Sequence, residues 1–90
     1  MYCLKGYNLD MVNIKIEYCA VWHYLDRAAG LAAEILKEYE PDIESLTLIP
    51  ADGGKFEVSL DDELVFSKIQ IGRHAEPGEV MNIFHQKLAA

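Results

Sequence analysis

The segment VNIKIEYCAVWHYLDRAAGLAAEILKEYE, residues 12–40, decides the fold because one hydrophobic periodicity replaces another within it. Residues 12–18 alternate strictly between apolar and polar side chains, which predicts a β-strand with one buried face. From Leu25 to Tyr39 apolar residues recur every three or four positions, which predicts an amphipathic helix that ends before Pro41. The regular structure thus begins with a strand and a helix, and Cys19 lies where one gives way to the other.

Three further strands are predicted after this helix. One covers residues 44–49 and ends at Pro50, and an alternating run over residues 56–60 is followed by a polar turn and an apolar run over residues 64–71. The last two runs predict a hairpin. Because the apolar phase changes within the final run, we expect a bulge or twist near Ser67.

A closing helix begins after Gly78 and presents Val80, Met81, Phe84 and Leu88 on one face. The predicted order is therefore βαβββα. A strand, helix and strand in succession favour a right-handed crossover between parallel strands, and the hairpin adds antiparallel strands. We predict an α/β fold of two layers, with a mixed four-stranded sheet and both helices on one face.

Length and charge restrict the classes of function. Ninety residues, 51% of them hydrophobic, suit one domain over residues 11–90, preceded by an extension over residues 1–10 that we expect to be disordered. The net charge of −7 repels phosphate backbones, so nucleic acid is not an expected partner. No apolar run suits a membrane span or a signal peptide, which predicts a cytoplasmic protein without membrane contact.

The two cysteines, Cys3 and Cys19, are too few for a disulfide scaffold and have no zinc-finger spacing. Both are expected to be free thiols in a reducing compartment, and a Cys3–Cys19 disulfide is the minor alternative. The three histidines show no metal-ligand spacing, so we expect no metal.

Cys19 is the candidate for chemistry. A thiol at the start of a helix meets unpaired backbone N–H groups and the positive end of the helix dipole, which favour the thiolate. His23, four residues later, would add positive charge on the same helical face. Two interpretations stay open: a reactive thiol that forms mixed disulfides, or a small buried core residue.

Two neighbours of Cys19 also allow two interpretations each. Trp22 either covers the top of the core, which is the simpler interpretation, or stands exposed as an anchor for a partner. Arg27 either steers an anion toward the cysteine or forms an ordinary ion pair with Asp26 or Glu34, and the ordinary pair is favoured.

Several strings resemble a known family over residues 11–88: Ile16-Glu17-Tyr18-Cys19, Tyr24, Arg27-Ala28, Leu48-Ile49-Pro50, Gly53-Gly54-Lys55-Phe56-Glu57-Val58, Phe66-Ser67-Lys68, Gly72-Arg73 and Glu76-Pro77. They resemble the Rdx family, the group related to selenoproteins W, T and H. The resemblance implies a thioredoxin-like fold with a redox loop of the form Cys-x-x-Cys, or Cys-x-x-selenocysteine, between the first strand and the first helix. Cys19 matches its first position, and Trp22 occupies the second.

The resemblance implies a thiol-based redox or redox-sensing protein that uses Cys19 alone, through a mixed disulfide with glutathione or a protein partner. The expected site comprises the loop Ala20, Val21, Trp22 and His23, with Arg27, Gly53, Gly54, Lys55 and Phe56 nearby. No cofactor is expected beyond glutathione as a thiol partner, and the protein would be a monomer or a weak homodimer. Enzymatic turnover is left open. The alternative function is a non-catalytic interaction module that keeps the fold without dithiol chemistry.

Overall fold

The computed structural model describes residues 11–88, so the predicted N-terminal extension lies outside the described residues. The chain begins with a strand, a helix and a second strand, continues with two more strands, and ends with two helices. They are β1 (Val12–Cys19), α1 (Leu25–Tyr39), β2 (Ile43–Ala51), β3 (Phe56–Leu60), β4 (Glu63–Ser67), α2 (Lys68–Ile71) and α3 (Glu79–Leu88). Helix α1 ends two residues before Pro41, as predicted, and a 3-10 turn over Glu40–Asp42 leads into β2.

The sheet is mixed and has the order β2-β1-β3-β4. Strand β1 runs parallel to β2 and antiparallel to β3, and β4 is antiparallel to β3. In this register Ile16 stands beside both Leu48 and Val58, so the apolar faces of three strands coincide. The predicted crossover, hairpin and four-stranded mixed sheet are confirmed.

Both long helices cover one face of this sheet. Their inward residues join the apolar face of the strands in one core, and Phe84 and Ile35 have no exposed surface. Burying each of these two side chains stabilises the fold by roughly 1.5–3 kcal/mol. The buried members on the helices are Ala28, Ala32, Ile35, Val80, Phe84 and Leu88. The predicted two-layer architecture is therefore confirmed.

The predicted strand over residues 64–71 is wrong in its second half. Strand β4 ends at Ser67, and α2 follows at once, so the order of elements is βαβββαα. Ile69 and Ile71, which continue the strand pattern in the sequence, lie exposed on this short helix. The pairing of β3 with β4 is irregular between the pairs Val58–Phe66 and Ser59–Leu64, so Val65 of β4 has no partner in the register, two residues before Ser67, close to the predicted position.

A local helix cap and hydrogen bonds from the neighbouring strand β3 explain why the chain turns here. The Ser67 hydroxyl accepts a hydrogen bond from the backbone N–H of Gln70 (3.1 Å), which caps α2, and donates one to Oε1 of Glu57 (2.5 Å). The other oxygen of Glu57 accepts from the backbone N–H of Ile69 (3.3 Å). Gly72 then ends α2 in the left-handed conformation, with φ of 87°.

Candidate functional site

Three strands meet at the end of the sheet where β1 stops. The backbone N–H of Cys19 donates to the carbonyl oxygen of Lys55 (2.9 Å), and that of Ala20 donates to the carbonyl oxygen of Ala51 (3.0 Å). The carbonyl of Cys19 in turn accepts from the N–H of Tyr24 (3.1 Å). The loop over residues 20–24 and the glycine turn over residues 52–55 are thus adjacent, which is the arrangement that the family resemblance implies.

Cys19 has no exposed surface. It follows Tyr18, which belongs to the main core, but Cys19 itself lies apart from that cluster. The prediction that Cys19 opens the first helix is wrong, because α1 begins only at Leu25. Cys3 lies outside the described residues, so a disulfide between the two cysteines stays a prediction.

The loop between Cys19 and α1 is built from turns. His23 has φ of 63°, in the left-handed region, and its N–H donates to the carbonyl oxygen of Ala20 (3.0 Å). The predicted placement of His23 on one helical face with Cys19 is therefore wrong. Val21 and Trp22 are 69% and 58% exposed, so this loop presents apolar side chains to solvent.

Trp22 rests on the glycine turn. A Cβ placed on Gly54 would lie 2.8 Å from Cζ3 of Trp22, a distance that real Cβ atoms do not tolerate. Gly54 also has φ of 73°, which disfavours any side chain, whereas a Cβ on its neighbour Gly53 would meet no atom within 4 Å. The simpler interpretation, that Trp22 covers the core, is wrong: the indole is exposed and is held against a backbone.

An aromatic cluster, Trp22, Tyr24, Phe56 and His74, surrounds this contact. Tyr24 packs edge-on to Trp22, with ring centroids 6.2 Å apart, and to His74 at 4.6 Å, while Phe56 lies 6.2 Å from His74. Nζ of Lys68 lies 6.0 Å from the Trp22 ring centroid and 5.8 Å from that of Tyr24. Cation–π attraction at such distances contributes about 0.5–1 kcal/mol at exposed sites.

His74 is half-buried within the aromatic cluster. Its burial lowers the pKa below the usual histidine value, and the positive charges of Arg27 and Lys68 lower the pKa further. The imidazole is therefore neutral near pH 7. The predicted ion pair of Arg27 with Asp26 or Glu34 is wrong, since within residues 11–88 Arg27 forms no ion pair.

A loop clamp positions His74. The Arg73 guanidinium donates to both carboxylate oxygens of Glu79 (2.8 and 3.2 Å) and to the carbonyl oxygen of His74 (2.9 Å). Glu79 also accepts from the backbone N–H of Glu76 (2.9 Å). The hydrogen bonds from Arg73 and Glu76 hold the pKa of Glu79 below its usual value. This clamp fixes the segment over residues 73–79, which leads from α2 into α3.

A groove of about 420 Å³ opens between α1 and residues 74–81, beside the aromatic cluster. Its apolar lining includes Leu31, Phe56, Val80 and Met81. Its polar lining includes His74, Arg27 and the carboxylates of Asp26, Glu34 and Glu76. The volume suits one or two side chains of a bound peptide or a small ligand. The sequence did not indicate this groove, because α1 and the 74–81 segment are brought together only by the tertiary fold.

Residues 11–88 contain no helix that is both long and apolar enough to cross a membrane. Within the same range, no three His, Cys, Asp or Glu side chains are grouped so that they could hold a metal ion. The groups at the site are the thiol, the aromatic rings, and the cations and carboxylates named above.

Comparison with protein families matches the Rdx family over residues 13–86. Among solved structures, a selenoprotein W-related protein from Vibrio cholerae superposes with a TM-score of 0.81 at 25% identity, covering 88% of this chain and 99% of that one. A protein from Bordetella parapertussis superposes with a TM-score of 0.80 at 26% identity, covering 87% of this chain and 99% of the other. Comparison with curated proteins gives no match.

These likenesses confirm the thioredoxin-like fold and indicate a redox-related protein. They cover the segment from β1 to α3, which holds Cys19, the aromatic cluster and the groove. The site is thus a buried thiol at a strand end, next to an exposed indole and a partly apolar groove.

Proposed function

The chain belongs to the Rdx family, and from this premise we propose that it is a thiol-based redox protein that uses Cys19 as a single, gated thiol. The observation that carries the proposal is the position of Cys19. It ends the central strand and is hydrogen-bonded through its backbone to the glycine turn and to Tyr24, at the entrance of α1. A shift of the 20–24 loop therefore acts directly on the backbone that holds the thiol.

The proposed step is thiol–disulfide exchange. The Cys19 thiol loses its proton to solvent, and the thiolate sulfur attacks one sulfur of oxidised glutathione or of a protein disulfide. A mixed disulfide forms, the original S–S bond breaks, and the leaving sulfur departs as a reduced thiolate. Trp22 stands where the resemblance places a second redox residue, so the thiolate of a reduced glutathione must attack the mixed disulfide. A disulfide forms between that glutathione and the departing partner, and Cys19 is released as a thiolate.

The burial of Cys19 makes the exchange conditional on a local opening. A disulfide cannot approach a sulfur without exposed surface, and the segment suited to open is the loop over residues 20–24. It contains no regular structure, it holds His23 in the left-handed region, and its first four residues, 20–23, are already exposed to solvent. Opening would separate Trp22 from Gly54, which changes the environment of the indole.

Intact-mass analysis tests this function directly. In a Cys3→Ser background Cys19 is the remaining thiol, and oxidised glutathione should add one glutathione to the folded protein. The doubly substituted Cys3→Ser, Cys19→Ser protein is the matched control and should stay unmodified. If folded protein stays unmodified while urea-unfolded protein reacts completely, Cys19 is a structural residue and the redox function is excluded.

A second candidate, a non-catalytic interaction module, is favoured by one observation. Trp22 is 58% exposed while Cys19, three residues earlier, is fully buried. A partner can therefore contact the indole without any movement of the loop, whereas the thiol is not accessible for a reaction. Under this function Cys19→Ser leaves the affinity for a partner unchanged and Trp22→Ala reduces it. Under the redox function Cys19→Ser abolishes the covalent complex.

A further inference from the structure

We infer that the groove between α1 and residues 74–81 is a docking site for a basic segment of a protein partner. An apolar side chain of that segment enters the groove, and lysine or arginine side chains beside it meet the carboxylates of Asp26, Glu34 and Glu76. The inference deepens the proposed function and rests on it for the role of docking, because it names the kind of protein that exchanges a disulfide with Cys19.

The charge of the lining is the first argument. Three carboxylates, those of Asp26, Glu34 and Glu76, and one cation, Arg27, line the groove, so negative charge exceeds positive charge there by two. His74 also lines it and stays neutral near pH 7, because its pKa is lowered. Within residues 11–88 none of the three carboxylates forms an ion pair. Cations from a partner would therefore meet carboxylates that the described part of the chain leaves unpaired.

The spacing of the carboxylates is the second argument. Asp26 and Glu34 lie on α1, eight positions apart, so their Cα atoms are about 12 Å apart along one wall of the groove. Gly30 lies halfway between them. In an extended segment, two basic residues four positions apart span about 13 Å. A segment with a basic residue on each side of an apolar residue thus matches this wall.

The shape of the groove is the third argument. Its volume of about 420 Å³ and its apolar lining, which includes Leu31, Phe56 and Val80, suit an aromatic side chain of a peptide. A Cβ on Gly30 would meet no atom within 4 Å, so the wall formed by α1 is open between its two carboxylates.

The opposite wall is held in place within the protein. The clamp between Arg73 and Glu79 fixes residues 73–79, and Glu79 also accepts from the backbone N–H of Glu76 (2.9 Å). A partner therefore meets a groove that is already formed, and its binding orders little of this chain.

Asp26 connects the groove to the loop that covers the thiol. It also lines a second pocket, of about 280 Å³, together with Tyr18, Ala20 and His23. Tyr18 and Ala20 are the neighbours of Cys19 in the chain. A segment that occupies the groove and continues past Asp26 therefore reaches the loop over residues 20–24.

The overall charge selects a protein segment over other classes of partner. The net charge of −7 repels nucleic acid and anionic membranes, and it equally repels a second copy of this chain. A basic segment is attracted by the whole surface and by the groove. A small cation would meet the carboxylates but would leave the apolar lining unused.

NMR titration of isotope-labelled protein with short peptides tests the inference, because the amides that shift locate the binding. The probe is the blocked peptide Lys-Ser-Phe-Ser-Lys. The comparison peptides are Gln-Ser-Phe-Ser-Gln, Glu-Ser-Phe-Ser-Glu and Lys-Ser-Gly-Ser-Lys. We expect the probe to bind about tenfold more tightly than each of the three, because each lacks either the cations or the apolar side chain. The largest shifts should fall on residues that line the groove, such as Leu31 and Met81.

Variants with equal changes in net charge separate the groove from the rest of the acidic surface. The double variant Glu34→Gln, Glu76→Gln should weaken binding of the probe about tenfold. The double variant Glu17→Gln, Glu44→Gln is the matched control, because these carboxylates lie on β1 and β2, outside the groove lining, and form no ion pair within residues 11–88. It should weaken binding less than about twofold. Gly30→Leu should narrow the groove and remove the preference for Phe over Gly.

Four results would overturn the inference: equal affinity for the neutral or acidic peptide, equal affinity for the peptide with Gly, equal losses from the two double variants, or shifts confined to residues outside the groove. Equal affinity for the peptide with Gly would show that the acidic surface attracts any small cation and that the groove is not used.

The outcome for docking is separate from the outcome for the thiol. The peptides contain no cysteine, so Cys19→Ser should leave their affinity unchanged. A protein that accepts glutathione on Cys19 but does not bind the probe would keep the proposed function and refute the inference. A protein that binds the probe in the groove but resists glutathione while folded would keep the docking site and exclude the redox function.

Discussion

Cys19 and Trp22 are three residues apart and have opposite environments. The thiol has no exposed surface, and the indole is 58% exposed, although both are connected to the same glycine turn. Cys19 contacts that turn through a backbone hydrogen bond to Lys55, and Trp22 through packing against Gly54. Under the proposed function, this difference means that a partner would meet Trp22 first and would reach Cys19 only after the loop moves.

The largest expected loss of stability comes from substitution of Gly54, the residue on which Trp22 packs. Gly54→Ala adds a clash with the indole to the strain of a left-handed backbone, and should lower the free energy of unfolding by about 2–4 kcal/mol. Gly53→Ala is the matched control, because its φ of 71° gives the same strain without a contact, and it should cost about 1–2 kcal/mol. Urea denaturation measures both. Equal losses would show that the packing of Trp22 on Gly54 contributes nothing.

Substitution of the thiol should have the next largest effect. Cys19→Ser places a more strongly hydrated hydroxyl in a site without exposed surface, which should lower the free energy of unfolding by about 1–3 kcal/mol. Val21→Ser, two residues later in the exposed loop, should change it by less than about 0.5 kcal/mol. If both variants unfold at the same urea concentration, the side chain of Cys19 is not more buried than that of Val21 in solution.

The free space next to Gly30 in α1 predicts a smaller effect, which is stabilising. Gly30→Ala replaces a glycine inside α1 at a position with free space, and should raise the free energy of unfolding by about 0.5–1 kcal/mol. Gly72→Ala also meets no atom, but its φ of 87° requires the left-handed region, so it should be destabilising. Thermal unfolding of the two variants gives the signs, and destabilisation by Gly30→Ala would mean that the groove is closed in solution.

The smallest expected effect is on the pH dependence of stability, through the protonation of His74. The folded state lowers the pKa of His74 below the usual value of 6.5, so the unfolded chain binds the proton more readily. The stability that depends on neutral His74 is therefore fully present above about pH 6.5 and is lost as pH falls through the folded pKa. His74→Gln should remove this part of the pH dependence, measured by urea denaturation at about pH 7.5 and about pH 5.5.

The substitution Arg27→Gln tests one cause of the lowered pKa of His74. Removing this positive charge should raise the pKa of His74 toward its usual value, and NMR titration of the imidazole gives the shift. Lys37→Gln, at the far end of α1, should leave the titration unchanged. If the two variants titrate alike, the positive charge of Arg27 does not act on His74 in solution.

The sequence predicted the elements whose signals are local. The alternation in β1 and the helical period of α1 each continue over enough residues to identify the element, and Pro41 limits the helix. The sequence did not predict α2, because Ile69 and Ile71 continue the alternating pattern of a strand. The chain turns there through the Ser67 cap and the Glu57 carboxylate, and the second of these comes from another strand.

For the site, the sequence identified Cys19, Trp22 and the glycine turn, but it did not show which residue was buried. The alternation that places Tyr18 in the core says nothing about the strand end, where turns decide exposure. Lys68 and His74 were missed because each is remote in sequence from Tyr24 and approaches it only in the folded chain. The one signal available was the inclusion of Tyr24 and Lys68 in the strings that resemble the Rdx family.

The most direct test of the gated thiol is the urea dependence of the rate at which oxidised glutathione modifies Cys19 in the Cys3→Ser protein. A local opening of residues 20–24 exposes little surface, so the account predicts a rate that changes little with urea below the unfolding transition. If the rate instead rises with the same slope as global unfolding, Cys19 reacts only in the unfolded chain and the gated site does not exist.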